Sequence, residues 1–346
     1  MVAWSWDLAP GEVKPMHIFS TEVVLYRTQT GEAHVVDAYC GHLGAHMGHG
    51  GCVVGENLQC PWHGWKWNTE GRNVEIANVD RVRNDVTVHQ WHVREHHHVI
   101  HVWHDALGRD PFWDWPGVPE FANPDGFYQP LEHPSAATAY GVHTVTPYIH
   151  IENAADAMHF PFVHGASKPV DIDEWEEIEE HYLRVNFSIL FGEGKASTRL
   201  TPDGPMQGII QNDVYGLGLG TARLILGRMV VAQLVSVTPV DMETCLLWST
   251  IACTRDPDHP NEPTDMVDRM IEVQTQQLRN DFHIWEHLRY SDRPKYAGVE
   301  ERFYPRLRRW RDRFYPADGV DSVGEDDPMA VGEAIGAGSR TANHQL

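Results

Sequence analysis

Cys40-Gly41-His42 and Cys60-Pro61-Trp62-His63 together make the pattern C-x-H-x17-C-x2-H. Two soft thiolates suit one iron of a [2Fe-2S] cluster, and two neutral imidazoles suit the other. Histidines in place of thiolates raise the reduction potential, so the pattern predicts a redox protein. Small and turn-forming residues surround both halves: Gly41, Gly44, Gly48, Gly50 and Gly51 at the first, Pro61 and Gly64 at the second. Glycine lets backbone N–H groups approach the cluster sulfurs. A zinc knuckle also combines Cys and His, but its halves more often read C-x2-C or H-x3-H.

Tyr39-Cys40-Gly41-His42-Leu43-Gly44 and Cys60-Pro61-Trp62-His63-Gly64-Trp65 resemble the Rieske domains of oxygenases. The resemblance implies that Cys40 and Cys60 bind the inner iron and His42 and His63 the outer one. High-potential respiratory Rieske proteins add a disulfide between the two loops and a serine hydroxyl near a cluster sulfur. Ala45, Trp62 and Trp65 stand at those positions here. The cluster is therefore expected near the low end of the Rieske range, about −150 mV, which suits electrons drawn from NADH.

At 346 residues the chain has room for two domains with real cores. Cys52, Cys245 and Cys253 form no pairing pattern, which fits a reducing compartment. Cys52 matches neither ligand pair and reads as a small loop or strand residue. No basic-then-apolar leader opens the chain, and no apolar run approaches the ~18 residues that span a bilayer. Sterol-oxidising animal proteins similar to this one carry a membrane anchor, so the expected setting is the bacterial cytoplasm, with no membrane span. Thirty-nine residues precede Cys40, a shorter lead-in than in similar oxygenases, which suggests a missing terminal segment or a late start. A net charge of −22 argues against a nucleic-acid partner, whose phosphates demand a basic face.

Residues 1–110 read as short strands punctuated by turns, including Val23–Tyr26, Ala33–Val36 and Val99–Trp103. His96-His97-His98 is read as a solvated strand edge, because alternate strand residues point to opposite faces and three neighbours converge poorly on a metal. Residues 111–130, rich in Pro, Trp and Gly, read as a linker. Residues 131–316 form the second domain, and 317–346, poor in large apolar residues, a flexible tail.

A second constellation gives the electrons a destination. Asn153, Asp156, His159 and His164 form N-x2-D-x2-H-x4-H. Spacing of three places Asn153, Asp156 and His159 on one face of a helical turn. His164 is about 140° round an ideal helix from His159, so Pro161 between them is expected to supply the distortion that lets both reach one metal. A helix end with incidental histidines is the plainer alternative. Two histidines and one carboxylate define the facial triad of non-haem Fe(II) oxygenases. Residues Thr264 to about Tyr290 show helical periodicity, with Thr264 as N-cap and an apolar stripe through Met270, Ile271, Leu278, Trp285 and Leu288. Asp281 falls on that stripe, where a carboxylate is costly unless paired or metal-bound. It is the expected third ligand, with pairing to Arg279 or Arg289 as the alternative.

Asp281-Phe282-His283-Ile284-Trp285 resembles the segment that supplies the third iron ligand in Rieske oxygenases. Together with Asp37–Cys40, Val102–Asp105, Asn153–His164, Leu307–Trp310 and Phe314-Tyr315, it is similar to the oxygenase component of bacterial 3-ketosteroid 9α-hydroxylase. The resemblance implies an α+β chain in which an all-β Rieske domain precedes a helix-grip (START-like) domain, an antiparallel sheet round a long helix. Tyr182–Phe191 and Leu224–Val240 are its best strand runs. It further implies a [2Fe-2S] Rieske cluster, a mononuclear Fe(II), O2 as co-substrate, a separate NADH-dependent flavin or iron-sulfur reductase, and an apolar substrate such as a steroid. A homotrimer is also implied, with Asp156 linking His63 of one subunit to His159 of the next and Asn153 lining the iron site. Hydroxylation of a 3-ketosteroid is the first reading, and demethylation or desaturation of another apolar substrate the second. A Rieske electron carrier with an unrelated ligand-binding domain is the competing class.

Gly216-Leu217-Gly218-Leu219-Gly220 lacks the nucleotide-binding spacing and reads as a bend or a close backbone approach. Asp171–Glu180 reads as a solvated acidic loop. Arg302–Arg313 reads as an amphipathic helix end, with reductase docking a lesser alternative.

Overall fold

The structure is a computed structural model describing residues 1–196, 201, 203–261, 263–291 and 293–315. The tail expected at 317–346 lies outside them. The chain divides into two compact units, residues 1–114 with 238–241, and the remainder.

The first unit is built from β1 (Ala3–Trp4), β2 (Val13–Ile18), β3 (Thr21–Arg27), β4 (Ala33–Asp37), β5 (Cys52–Val54), β6 (Asn57–Gln59), β7 (Lys66–Trp67), β8 (Asn73–Glu75), β9 (Gln90–Trp91), β10 (Val93–His96) and β11 (Val99–Val102). They form three small antiparallel sheets, ordered β1-β11-β10, β2-β3-β4-β9 and β5-β6-β7-β8. Val24, Tyr26 and Val36 pack with Leu58 and Trp67 into one core that also holds Cys40 and Cys60. The three histidines do not continue a strand. His97 and His98 have φ of 50° and 63°, so the chain reverses there in a two-residue hairpin turn between β10 and β11. Histidine is among the non-glycine residues that tolerate this region, which a strand-period reading does not register.

The second unit carries one eight-stranded sheet. Its strands are β12 (Phe127–Tyr128), β13 (Ala137–His143), β14 (Asp171–Glu179), β15 (Tyr182–Phe191), β16 (Met206–Tyr215), β17 (Leu219–Leu226), β18 (Met229–Pro239) and β19 (Cys245–Thr254). The order runs β12-β19-β18-β17-β16-β15-β14, with β13 also paired to β19. Part of the segment read as a linker thus belongs to this sheet, since β12 pairs with Cys253 and Thr254. β15 alternates cleanly, with Leu183, Val185 and Phe187 buried on one face. The run 224–240 is two strands rather than one, because Gly227, at φ 61°, closes a two-residue hairpin after Leu226.

The segment Asp171–Glu180, read as a loop, is an edge strand over Asp171–Glu179. Ile172 and Trp175 pack onto the core while the acids face water. A charged edge discourages further strand addition, so the acid content and the strand are compatible.

Among the described residues, four α-helices complete the unit: α1 (Pro147–Asn153), α2 (Phe160–Val163), α3 (Asp265–Trp285) and α4 (Glu300–Arg311). Thr264 caps α3 by accepting a hydrogen bond from the Val267 N–H. Val267, Met270 and Ile271 pack on Leu224, Val231 and Ile251, and further along Leu278, Phe282 and Trp285 pack on Val235 and Leu247. The long helix therefore lies along one face of the sheet, as a helix grip requires. It ends at Trp285, and Leu288 is exposed beyond it. On α4, Phe303, Leu307 and Trp310 are buried one turn apart. Arg306 and Arg308 on α4 and Arg313 just beyond it are paired within the unit, Arg308 to Glu152 and both Arg306 and Arg313 to Glu177.

Candidate functional site

The two cysteine loops are wired alike. Cys40 N–H donates to the Ala45 carbonyl at 2.9 Å, and Gly44 N–H returns to the Cys40 carbonyl at 3.0 Å. Cys60 N–H donates to Trp65 at 2.8 Å, and Gly64 N–H returns to Cys60 at 3.2 Å. Gly44 and Gly64 have φ of 74° and 67°, a region where a side chain is strained. Each turn thus needs glycine four residues after its cysteine.

Cys40 and Cys60 are buried beside each other, and burial pushes the Cys40 thiol up to about 11. His42 and His63 lie outside them with ring centroids 4.9 Å apart, His63 exposed and His42 stacked on Trp65 at 4.3 Å. The Trp67 indole N–H faces the Cys40 thiol but makes no full hydrogen bond. A thiolate accepts better than a thiol, so this donor fits a metal-bound sulfur. The two sulfurs inside and two imidazoles outside form a set that could hold a [2Fe-2S] cluster.

The second site forms where α1 stops. Asn153 is the last residue of α1, and Asp156 lies in the connection to α2 rather than on a continuing helical face. Its Oδ1 accepts from the Met158 N–H at 2.8 Å and the His159 N–H at 3.3 Å. A short acidic side chain that bonds its own backbone this way competes with helix, which explains the break. Pro161 occupies the first turn of α2, where its missing N–H costs nothing, so it starts a helix instead of distorting one. His159 and His164 flank that single turn and face each other, Nε2 to Nε2, at 3.0 Å.

Asp281 arrives from α3, only 5% exposed, with Oδ1 at 3.2 Å from His164 Nε2 and 3.9 Å from His159 Nε2. Ligand atoms of the three residues lie within 4.8 Å of one another. Arg279, the alternative partner, is instead stacked over Tyr140. Burial lowers the His164 pKa, but the hydrogen bond and charge of Asp281 more than offset that, leaving it raised. Two imidazole nitrogens turned toward one buried carboxylate make the donor set of a facial triad, which fits a divalent metal.

Both histidines are held from behind. His164 Nδ1 meets Gln277 Oε1 at 2.5 Å, and His159 Nδ1 lies 3.4 Å from Asp156 Oδ2. The Gln277 bond fixes the His164 tautomer that leaves Nε2 free to bind metal, and the Asp156 carboxylate near His159 Nδ1 favours the same tautomer there. Burial alone would raise the Asp156 pKa, but hydrogen bonds from His159, Met158 and Tyr304 bring it below the usual carboxylate value. Gln277, Tyr304 and Asn212, whose amide holds the Ala154 carbonyl at 3.2 Å, were not visible in the sequence. Only Gln277 left a trace, four residues before Asp281 on the same helical face.

Residues 1–91 match the Rieske [2Fe-2S] domain, and residues 102–315 match the 3-ketosteroid 9α-hydroxylase C-terminal domain. The chain is a Rieske oxygenase. Its catalytic domain is of the 3-ketosteroid 9α-hydroxylase type. The chain is 28% identical over 344 residues to a cholesterol 7-desaturase of Hemicentrotus pulcherrimus, covering 90% of this chain and 68% of that one. It is 23% identical over 317 residues to the oxygenase component of a 3-ketosteroid-9-alpha-monooxygenase of Rhodococcus rhodochrous, covering 89% and 81%. Among solved structures it resembles dicamba monooxygenase bound to dicamba, with a TM-score of 0.66 at 17% identity over 90% of this chain and 95% of that one. Rieske oxygenases of this class use a Rieske cluster, a mononuclear iron and O2, and as oxygenase components take electrons from a separate reductase to oxidise an apolar substrate. No helix among the described residues is long and apolar enough to cross a membrane.

Proposed function

We propose that this Rieske oxygenase oxidises a steroid, with 9α-hydroxylation of a 3-ketosteroid as the first assignment. The convergence of His159, His164 and Asp281 beside an apolar sheet face carries this reading, and the match of residues 102–315 supports it. Desaturation of a sterol is the second reading, favoured by the likeness to a cholesterol 7-desaturase over 90% of the chain.

Cys40, Cys60, His42 and His63 would hold the cluster, and His159, His164 and Asp281 the single iron. Bound there, the two centres supply reducing electrons and an O2-binding face. Gln277 and Asp156 keep both imidazoles presenting Nε2. The Asp156 carboxylate stays ionised and partly open, so it can also accept a proton-bearing nitrogen from outside. In a homotrimer that donor is His63 of the partner subunit. Exposed apolar side chains support such an assembly: Tyr39, Leu43 and Trp62 ring the cysteine loops, and Phe162, 89% exposed, projects from α2. Asn153, which ends α1 beside this connection, would line the iron site.

Incubation with an NADH-linked reductase and a panel of 3-ketosteroids and sterols tests the reading by mass. Gain of one oxygen supports hydroxylation, and loss of two hydrogens supports desaturation. No change on any steroid contradicts the steroid assignment.

A further inference from the structure

His150 is a buried polar group with no assigned task. It lies on α1, three residues before Asn153, and is 8% exposed. Its Nε2 has no hydrogen-bond partner. Burial holds its pKa down to about 4, so the ring is neutral at physiological pH. An imidazole in this state is expected to bond something that enters the site, because buried polar atoms rarely remain unpaired.

The surroundings show what can enter. A Cβ built at Gly220 would come within 3.1 Å of His150 Nε2, so the nitrogen lies over a stretch of β17 with no side chain. Ala222 is the next residue on the same face of β17, and it pairs with Asn212 on β16. Ala222 remains partly open to solvent, and Gly220 is buried beneath the imidazole. With no side chain at Gly220, the imidazole rests over bare backbone flanked on the same face by the aliphatic side chains of Val214 and Val235, an apolar surround. Trp285, its ring centroid 6.1 Å from that of His150, closes the other side. Trp285 follows Asp281 by one helical turn, about 5.4 Å along α3. His150 is thus beside Trp285, which stands one turn along α3 from Asp281 of the candidate iron site.

We propose that His150 Nε2 hydrogen-bonds an oxygen substituent of the substrate, a hydroxyl or a ketone on an otherwise apolar skeleton, and so sets which substrates are held near the iron. This rests on the oxygenase reading above and adds the contact that selects among apolar molecules. A neutral imidazole has one donor and one acceptor nitrogen, so a hydroxyl satisfies either tautomer and a ketone the Nε2–H form. A hydrocarbon of the same shape would fill the space and leave the nitrogen unpaired.

The test is a binding measurement on the iron-loaded, cluster-loaded enzyme without reductase, read by tryptophan fluorescence. The probes are cholesterol and cholest-4-en-3-one against their 3-deoxy hydrocarbons, and 9-phenanthrol against phenanthrene. The wild type should prefer the oxygenated member of a pair by about 10- to 100-fold. His150→Phe should abolish the preference by weakening the oxygenated member alone, and His150→Gln should retain part of it. Unchanged hydrocarbon affinity in His150→Phe shows that the variant is folded. Preference within the phenanthrene pair but no steroid binding would contradict the steroid reading and leave His150 in its role. A preference that survives His150→Phe, or no preference in any pair, overturns the proposal.

Discussion

The two candidate metal sites are built in opposite ways. The cysteine loops repeat one local design, a turn closed by glycine four residues after the cysteine, and all four donors lie between residues 40 and 63. At the other site the donors come from the two ends of the short α2 and from α3, with Asp281 117 positions after His164 by subtraction of residue numbers. The first site depends on backbone conformation, and the second on tertiary packing of α3 against the sheet. Damage to the first should therefore be local, whereas the second should respond to side chains that never touch a metal.

The largest effect is expected from Cys60→Ser, which removes a thiolate from the buried pair. Visible absorption and electron paramagnetic resonance of the cluster should vanish with all turnover, while iron at the second site remains. Retention of the cluster spectrum would contradict the ligand assignment.

A buried base distinguishes the second unit under acid. The folded pKa of His150 is depressed to about 4 against an ordinary 6.5, so the unfolded chain binds more protons between those values. Its contribution is fully present above pH 6.5 and is lost as pH falls toward 4, about 3 kcal/mol in all. Urea titrations across that range should show a shallower acid loss for His150→Phe than for wild type. Identical slopes would mean that the imidazole takes up its proton without unfolding.

Asp156→Asn keeps the backbone bonds to Met158 and His159 but removes the charge. Turnover should fall by about 10- to 100-fold while both metal centres stay loaded. Unchanged turnover would remove Asp156 from the electron path. Gln277→Leu should weaken iron binding by about 10-fold through His164 alone, leaving the cluster potential unaltered. A shifted cluster potential would show that the two sites are less separable than their construction suggests.

Legibility in the sequence followed the same division. Cys40, His42, Cys60 and His63 were readable because local spacing defines their loops. Asp281 was readable for a different reason, the cost of a carboxylate on an apolar helical stripe. Gln277 and Tyr304 were not, since a neutral amide or a phenol on a helix carries no comparable penalty. The position of His150 over Gly220 depends on strand register and helix placement, which no local pattern encodes. Asp171–Glu180 misled because charge masked the spacing of Ile172 and Trp175, and Asn153–His159 because an aspartate that caps its own backbone breaks the helix that three-residue spacing suggests.

The central claim is that one chain holds two independent metal sites, the second made by His159, His164 and Asp281. Iron counting with paramagnetic resonance of the reduced cluster in Asp281→Ala tests it directly. Wild type should carry about three irons per chain, two in the cluster and one in the triad, and the variant about two with the cluster signal unchanged. Three irons in the variant, or two in the wild type, would contradict the account.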